Sequence, residues 1–100
     1  NHIYNTRQTG IGIKKASDVI ISKNEIHGTH EIQTGNPCAG VAYQYAPRRV
    51  WIIFNKIYNA DFGIKSGGDT SPAEDYIYII GNSIFDIHYS GSIRDNAWAA

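Results

Sequence analysis

Four tripeptides end on a long polar side chain that follows an apolar residue. They are Gly12-Ile13-Lys14, Ala42-Tyr43-Gln44, Gly63-Ile64-Lys65 and Ser92-Ile93-Arg94. Stacked in register, Lys14, Gln44, Lys65 and Arg94 form one column with three cations in it. Such a line could meet successive carboxylates of a polyanionic glycan. The same residues would serve equally as an ordinary solvated strand exterior. Arg48 and Arg49 add charge in the next turn after Gln44. Tyr4, His27, Tyr58 and Phe85 each lie three residues after an asparagine and make a flat-faced column. Sugar rings pack on such faces, and aromatic stacking also stabilises a parallel sheet. Tyr58 and Tyr43 are the aromatic candidates for substrate contact.

Other chemistry is less organised. Asp61, Asp69, Glu74 and Asp75 offer oxygen ligands for Ca2+, but no pair has a diagnostic spacing. Asp61 and Asp86 are the nearest match to the opposed carboxylates of glycoside hydrolysis. His27-Gly28-Thr29-His30-Glu31 contains zinc-ligand types without a fixed helical or hairpin spacing. No phosphate-binding glycine motif, nucleophile elbow or Cys-His pair is present. The single Cys38 excludes an internal disulfide and reads as a turn-adjacent thiol after Asn36-Pro37.

The residues that must position these groups repeat. Val50-Trp51-Ile52-Ile53-Phe54-Asn55-Lys56-Ile57-Tyr58-Asn59 has copies at Val19–Gly28 and Ile77–Asp86, and Asn1-His2-Ile3-Tyr4-Asn5 is a half copy. The anchoring asparagines are Asn1, Asn24, Asn55 and Asn82, at separations of 23, 31 and 27 residues. Self-similarity at that period indicates a stacked-repeat architecture. Two residues after each asparagine stands an isoleucine, and three and five residues before it stand Ile or Val. Period-two spacing places these on one inward face of a strand. With the four tripeptides, each repeat holds three short strands. The asparagines are expected to form a ladder at a tight bend, since Asn accepts left-handed backbone angles and its amide can bond the next copy. Turn-rich inserts at Thr29–Gly40 and Ser66–Asp75 read as projecting loops.

Composition agrees. There are 17 Ile, 3 Val and no Leu in 100 residues, a β-branched excess that suits strands. Net charge is zero, so nothing in the whole chain favours nucleic acid or an anionic membrane. No apolar run approaches the roughly 18 residues of a membrane span.

The unit V-x-I-x-x-N-x-I followed by G-I-x resembles the repeat of right-handed parallel β-helix proteins, the pectate lyase-like family. The resemblance implies an all-β solenoid over residues 1–100, with about four rungs and three short strands per coil. It has uncapped ends and reads as a piece of a longer solenoid. It also implies an extracellular or periplasmic, carbohydrate-active protein. In that family the base that abstracts a uronate proton is Lys or Arg, with Ca2+ or basic side chains neutralising the carboxylate. On that implication Lys65 is the candidate base, and Lys14, Arg94, Arg48, Tyr43 and Tyr58 are the substrate contacts. The other expectation is a structural solenoid that stacks or self-assembles. Ile20, Trp51 and Tyr78 fall on the outward face of the main strand, and an apolar outer face needs a cover.

Overall fold

The computed structural model describes residues 1–6, 9–29, 38–45, 47–67, 75–88 and 93–94, with the backbone alone at 67, 75, 93 and 94. The projecting loops expected within 29–40 and 66–75 fall mostly outside those residues, as do His30, Glu31, Asp69 and Glu74. The strands among the described residues are β1 (His2–Tyr4), β2 (Ile11–Lys14), β3 (Ser17–Ser22), β4 (Glu25–Thr29), β5 (Ala39–Gln44) and β6 (Arg48–Ile53), then β7 (Lys56–Ala60), β8 (Phe62–Gly67), β9 (Asp75–Ile80), β10 (Ser83–Ile87) and β11 (Ile93–Arg94).

Each strand pairs in parallel with the strand three elements away. The first sheet runs β1-β4-β7-β10, the second β11-β8-β5-β2 and the third β3-β6-β9. The chain therefore visits three sheets in turn and returns to the first, with about three short strands per coil. This all-β arrangement is compatible with a β-helix solenoid. Among the described residues no helix is long and apolar enough to cross a membrane.

The inward residues stack in kind. Ile3, Ile26, Ile57 and Ile84 face one another along the first sheet. Val19, Val50 and Ile77 do so along the third, with Ile21, Ile52 and Ile79 beside them. Ile26, Val50, Ile52, Ile57 and Ile64 are fully buried in one core cluster. Burying such a side chain contributes about 1.5–3 kcal/mol.

The bends are set by left-handed residues in register. Lys23, Phe54 and Gly81 immediately precede a ladder asparagine, and all have positive φ. So do Asn5, Gly28, Asn59 and Asp86, four residues after each asparagine. Asp18, Arg49 and Tyr76, six residues before one, do the same, and Lys15 and Tyr45 make a further pair at the end of the second sheet's strands. Here the structure corrects one expectation: the left-handed angle belongs to the residue before Asn24, Asn55 and Asn82. The asparagine itself is left to aim its amide along the stack. The backbone cost at each non-glycine position is about 1–2 kcal/mol. It is met by hydrogen bonds to the neighbouring coil, such as Phe54 N to Ile80 O at 3.1 Å and Asn5 N to His27 O at 3.1 Å.

The ladder has a specific wiring. Asn55 Oδ1 accepts from both the backbone N and the Nδ2 of Asn24, each at 3.0 Å. Asn55 Nδ2 donates to Asn82 Oδ1 and to Ile21 O, both at 3.0 Å. Asn82 repeats the pattern, accepting from Asn55 N and donating to Ile52 O. Asn1 Nδ2 reaches Asn24 Oδ1 at 3.3 Å. An interior member uses two donors and two acceptor directions at once, which only a primary amide supplies.

Candidate functional site

The second sheet does not hold the single basic column that the tripeptides suggest. Lys14 stands opposite Gln44, and Gln44 opposite Gly67. Lys65 stands opposite Ala42 on one side and Arg94 on the other, with Gly12 beyond Ala42. Lys65 and Arg94 are thus neighbours by backbone register, and Lys14 lies two residues along the strand and two strand spacings from Lys65. The physical cause is a glycine column at Gly10, Gly40 and Gly63. A Cβ at Gly10 would come 2.6 Å from Ile26 Cγ2, and one at Gly40 would collide with Ile57 Cγ2. The core isoleucines of the first sheet therefore fix which glycines align, and they select Gly10-Ile11 over Gly12-Ile13.

Two further candidates change character. Tyr43 is inward and only 6% exposed, part of the main core beside Ile13. It is a packing residue, unable to contact a ligand on the outer face. Lys65 is on the outer face yet only 2% exposed. Its Nζ lies 5.7 Å from the centre of the Phe62 ring. Burial pushes its ammonium below the usual lysine range, with Cys38 and Asp61 opposing that shift. A lysine so placed is less basic than a free one and lacks an open approach. Asp61 binds the Cys38 backbone N through Oδ2 at 3.1 Å and lies 3.4 Å from His88 Nδ1 through Oδ1. Asp61 is itself buried, while His88 beside it is exposed. Arg48 is exposed, next to Arg49, which forks onto the Asp18 carboxylate.

On the outer face of the first sheet, Tyr4, His27, Tyr58 and Phe85 form a stack. Interplanar angles are 11°, 7° and 3°, with centroids 5.6, 4.7 and 5.0 Å apart. These rings spend their faces on one another, so between Tyr4 and Phe85 they offer edges to solvent. A sugar needs a face. The stack is accordingly a poor glycan platform except at its two ends. Tyr58 is anchored further by its hydroxyl, which donates to Glu25 Oε2 at 2.7 Å. That bond is the main reason the Glu25 carboxyl sits below its usual range.

An open groove of about 500 Å3 follows the bend between the first and third sheets. It runs past all four asparagine turns, from Asn1 and His2 to Gly81 and Ser83. Three strand spacings make it about 14 Å long. Its chemistry comes from Lys23, Glu25, Phe54 and Lys56. Lys23 and Phe54 occupy the left-handed position before an asparagine, and Glu25 and Lys56 the position after one. Phe54 is 58% exposed and leans over Gly81, where a side chain would strike its ring within 2.6 Å. The tripeptides carry no signal of this site. Reading the residues on either side of each asparagine as two columns would have found it.

The outer face of the third sheet carries Ile20, Trp51 and Tyr78 side by side, with Trp51 and Tyr78 stacked at 5.2 Å. Ile20 is 66% exposed. Among the described residues no group of three or more His, Cys, Asp or Glu side chains is placed to hold a metal ion. Compared with family models, with curated proteins and with solved structures, the chain finds no match.

Proposed function

We propose that this chain is part of a right-handed parallel β-helix that binds a linear, carboxylate-bearing polysaccharide outside the cell or in the periplasm. The groove along the asparagine turns is the observation that carries the proposal. It is open and runs across four coils, which suits an extended polymer better than a small molecule. Lys23 and Lys56 supply cations for uronate carboxylates, and the exposed Phe54 ring supplies a surface for a sugar's C–H face. Binding without β-elimination is the favoured form, because Lys65, the candidate base, is enclosed. Arg94 and Lys14 are not part of this groove.

Affinity electrophoresis in gels containing polygalacturonate or alginate tests the proposal. The unmodified chain should be retarded, and added salt should weaken the effect. Lys23→Ala with Lys56→Ala should weaken binding about tenfold, a loss of about 1.4 kcal/mol. Lys14→Ala should change nothing. No retardation in any polyuronate, or equal retardation of the double variant, would defeat the groove reading. A second reading, a self-assembling structural solenoid, is favoured by the apolar outer face on which Ile20 and Tyr78 are exposed and Trp51 is half-buried. It predicts concentration-dependent association that Trp51→Lys abolishes.

A further inference from the structure

We propose that His2 and His27 form a two-imidazole chelate for a divalent transition-metal ion with ligands near 90°, of the Cu2+ or Ni2+ type. The proposal rests on side-chain geometry and is independent of the glycan reading. The two Nε2 atoms converge to 2.7 Å across β1 and β4. With metal–nitrogen bonds of about 2.0–2.1 Å, two ligands at 90° lie about 2.9 Å apart and two tetrahedral ligands about 3.3 Å apart. The rings must therefore part by about 0.2 Å for the first geometry and about 0.6 Å for the second; with their centres 4.9 Å apart each Nε2 now faces the other, so both rings must also turn to aim their lone pairs at one ion. Tetragonal nitrogen and oxygen sites suit Cu2+ and Ni2+, and Cu2+ heads the affinity order for such ligands.

The rings are brought together, though not yet aimed at a common point, before any ion arrives. His27 is sandwiched between Tyr4 and Tyr58, nearly coplanar with both. His2 leans on Tyr4 and on His27 at 4.9 Å each. Ordering two loose imidazoles would otherwise oppose binding. In the ion-free pair, one ring donates its Nε2 proton to the other ring's Nε2. On chelation that proton moves through solvent to Nδ1 of its own ring, so both Nε2 lone pairs face the ion and the neutral pair loses no proton. Glu25 stands opposite His2 in register and brings a negative charge, while Lys56 beyond it brings a positive one. Water fills the remaining positions.

Calorimetric titration of the chain with NiCl2 tests this. One Ni2+ per chain is expected, with weaker uptake of Zn2+. His27→Phe keeps a flat ring in the stack and removes the ligand nitrogen, so it should lower Ni2+ affinity at least tenfold with an unchanged circular dichroism spectrum. His2→Asn should do the same from the other side. Absence of stoichiometric Ni2+ binding would overturn the proposal. So would undiminished binding in His27→Phe.

Discussion

Replacing Asn55 by alanine is the sharpest test of what holds the coils together. The side chain is 2% exposed and makes four hydrogen bonds, two accepted from Asn24 and one donated to each of Ile21 and Asn82. At about 1 kcal/mol net per bond, their loss costs about 4 kcal/mol. Asn82 Oδ1 keeps a partner in Asn55 N, which trims the cost. Asn24 N–H and Ile21 O are left short of one in a buried place, which raises it. About 3–5 kcal/mol is expected, against a total of about 5–15 kcal/mol for a domain of this size. Urea unfolding followed by circular dichroism should show the midpoint falling by about 2–3 M at a slope of about 1.5 kcal/mol/M. Asn1→Ala is the internal comparison. It removes one bond of 3.3 Å at an exposed position and should cost less than about 0.5 kcal/mol. A loss below about 1 kcal/mol for Asn55→Ala, or equal losses at the two positions, would refute the ladder as the source of cohesion.

Two other outcomes follow from the same geometry. Gly40→Ala should cost about 1–3 kcal/mol, because its Cβ would meet Ile57 Cγ2 and lie 3.0 Å from Gly63 O. Gly12→Ala, with 4.0 Å of clearance, should be close to neutral in the same unfolding assay. Tyr58→Phe should flatten the acid limb of stability. Glu25 is held below its usual range chiefly by the Tyr58 hydroxyl, and less by His2, Lys56 and His27. Its contribution is therefore present above the ordinary glutamate value and fades as pH falls through the lowered one. Unfolding midpoints of the two proteins should differ at neutral pH and converge as pH falls from the ordinary glutamate value through the lowered one. A constant gap across that range would remove the Glu25–Tyr58 pair from the account.

The Asn-x-Ile unit could be read from the chain because its two columns obey simple rules. An isoleucine that must point inward and an amide that must reach the next amide both tolerate little else. The second sheet could not be read the same way. Gly10-Ile11-Gly12-Ile13 offers two equivalent alignments to Gly63-Ile64, and only the methyl groups of Ile26 and Ile57 on another sheet decide between them. The burial of Lys65 was equally hidden, because an outer-face lysine at a strand position ordinarily reaches water. The left-handed columns escaped notice because Lys, Phe, Arg and Tyr occupy them as well as Gly, Asn and Asp. There the ladder of backbone hydrogen bonds overrides residue preference. The three sheets themselves were legible from the β-branched composition and the repeated apolar spacing.

Those left-handed columns give the stack a built-in key. From six residues before each asparagine to four after it, the backbone angles recur at intervals of five residues, whatever the side chains are. A single inserted or deleted residue inside that span would bring a left-handed unit against an extended one and break the match with both neighbours. The lengths of 23, 31 and 27 residues between asparagines show where change is absorbed instead: in the connections outside the span. The molecule can thus lengthen its excursions freely while its spine admits no frameshift, so it is a scaffold on which new surface can be hung without redesigning the column that carries it.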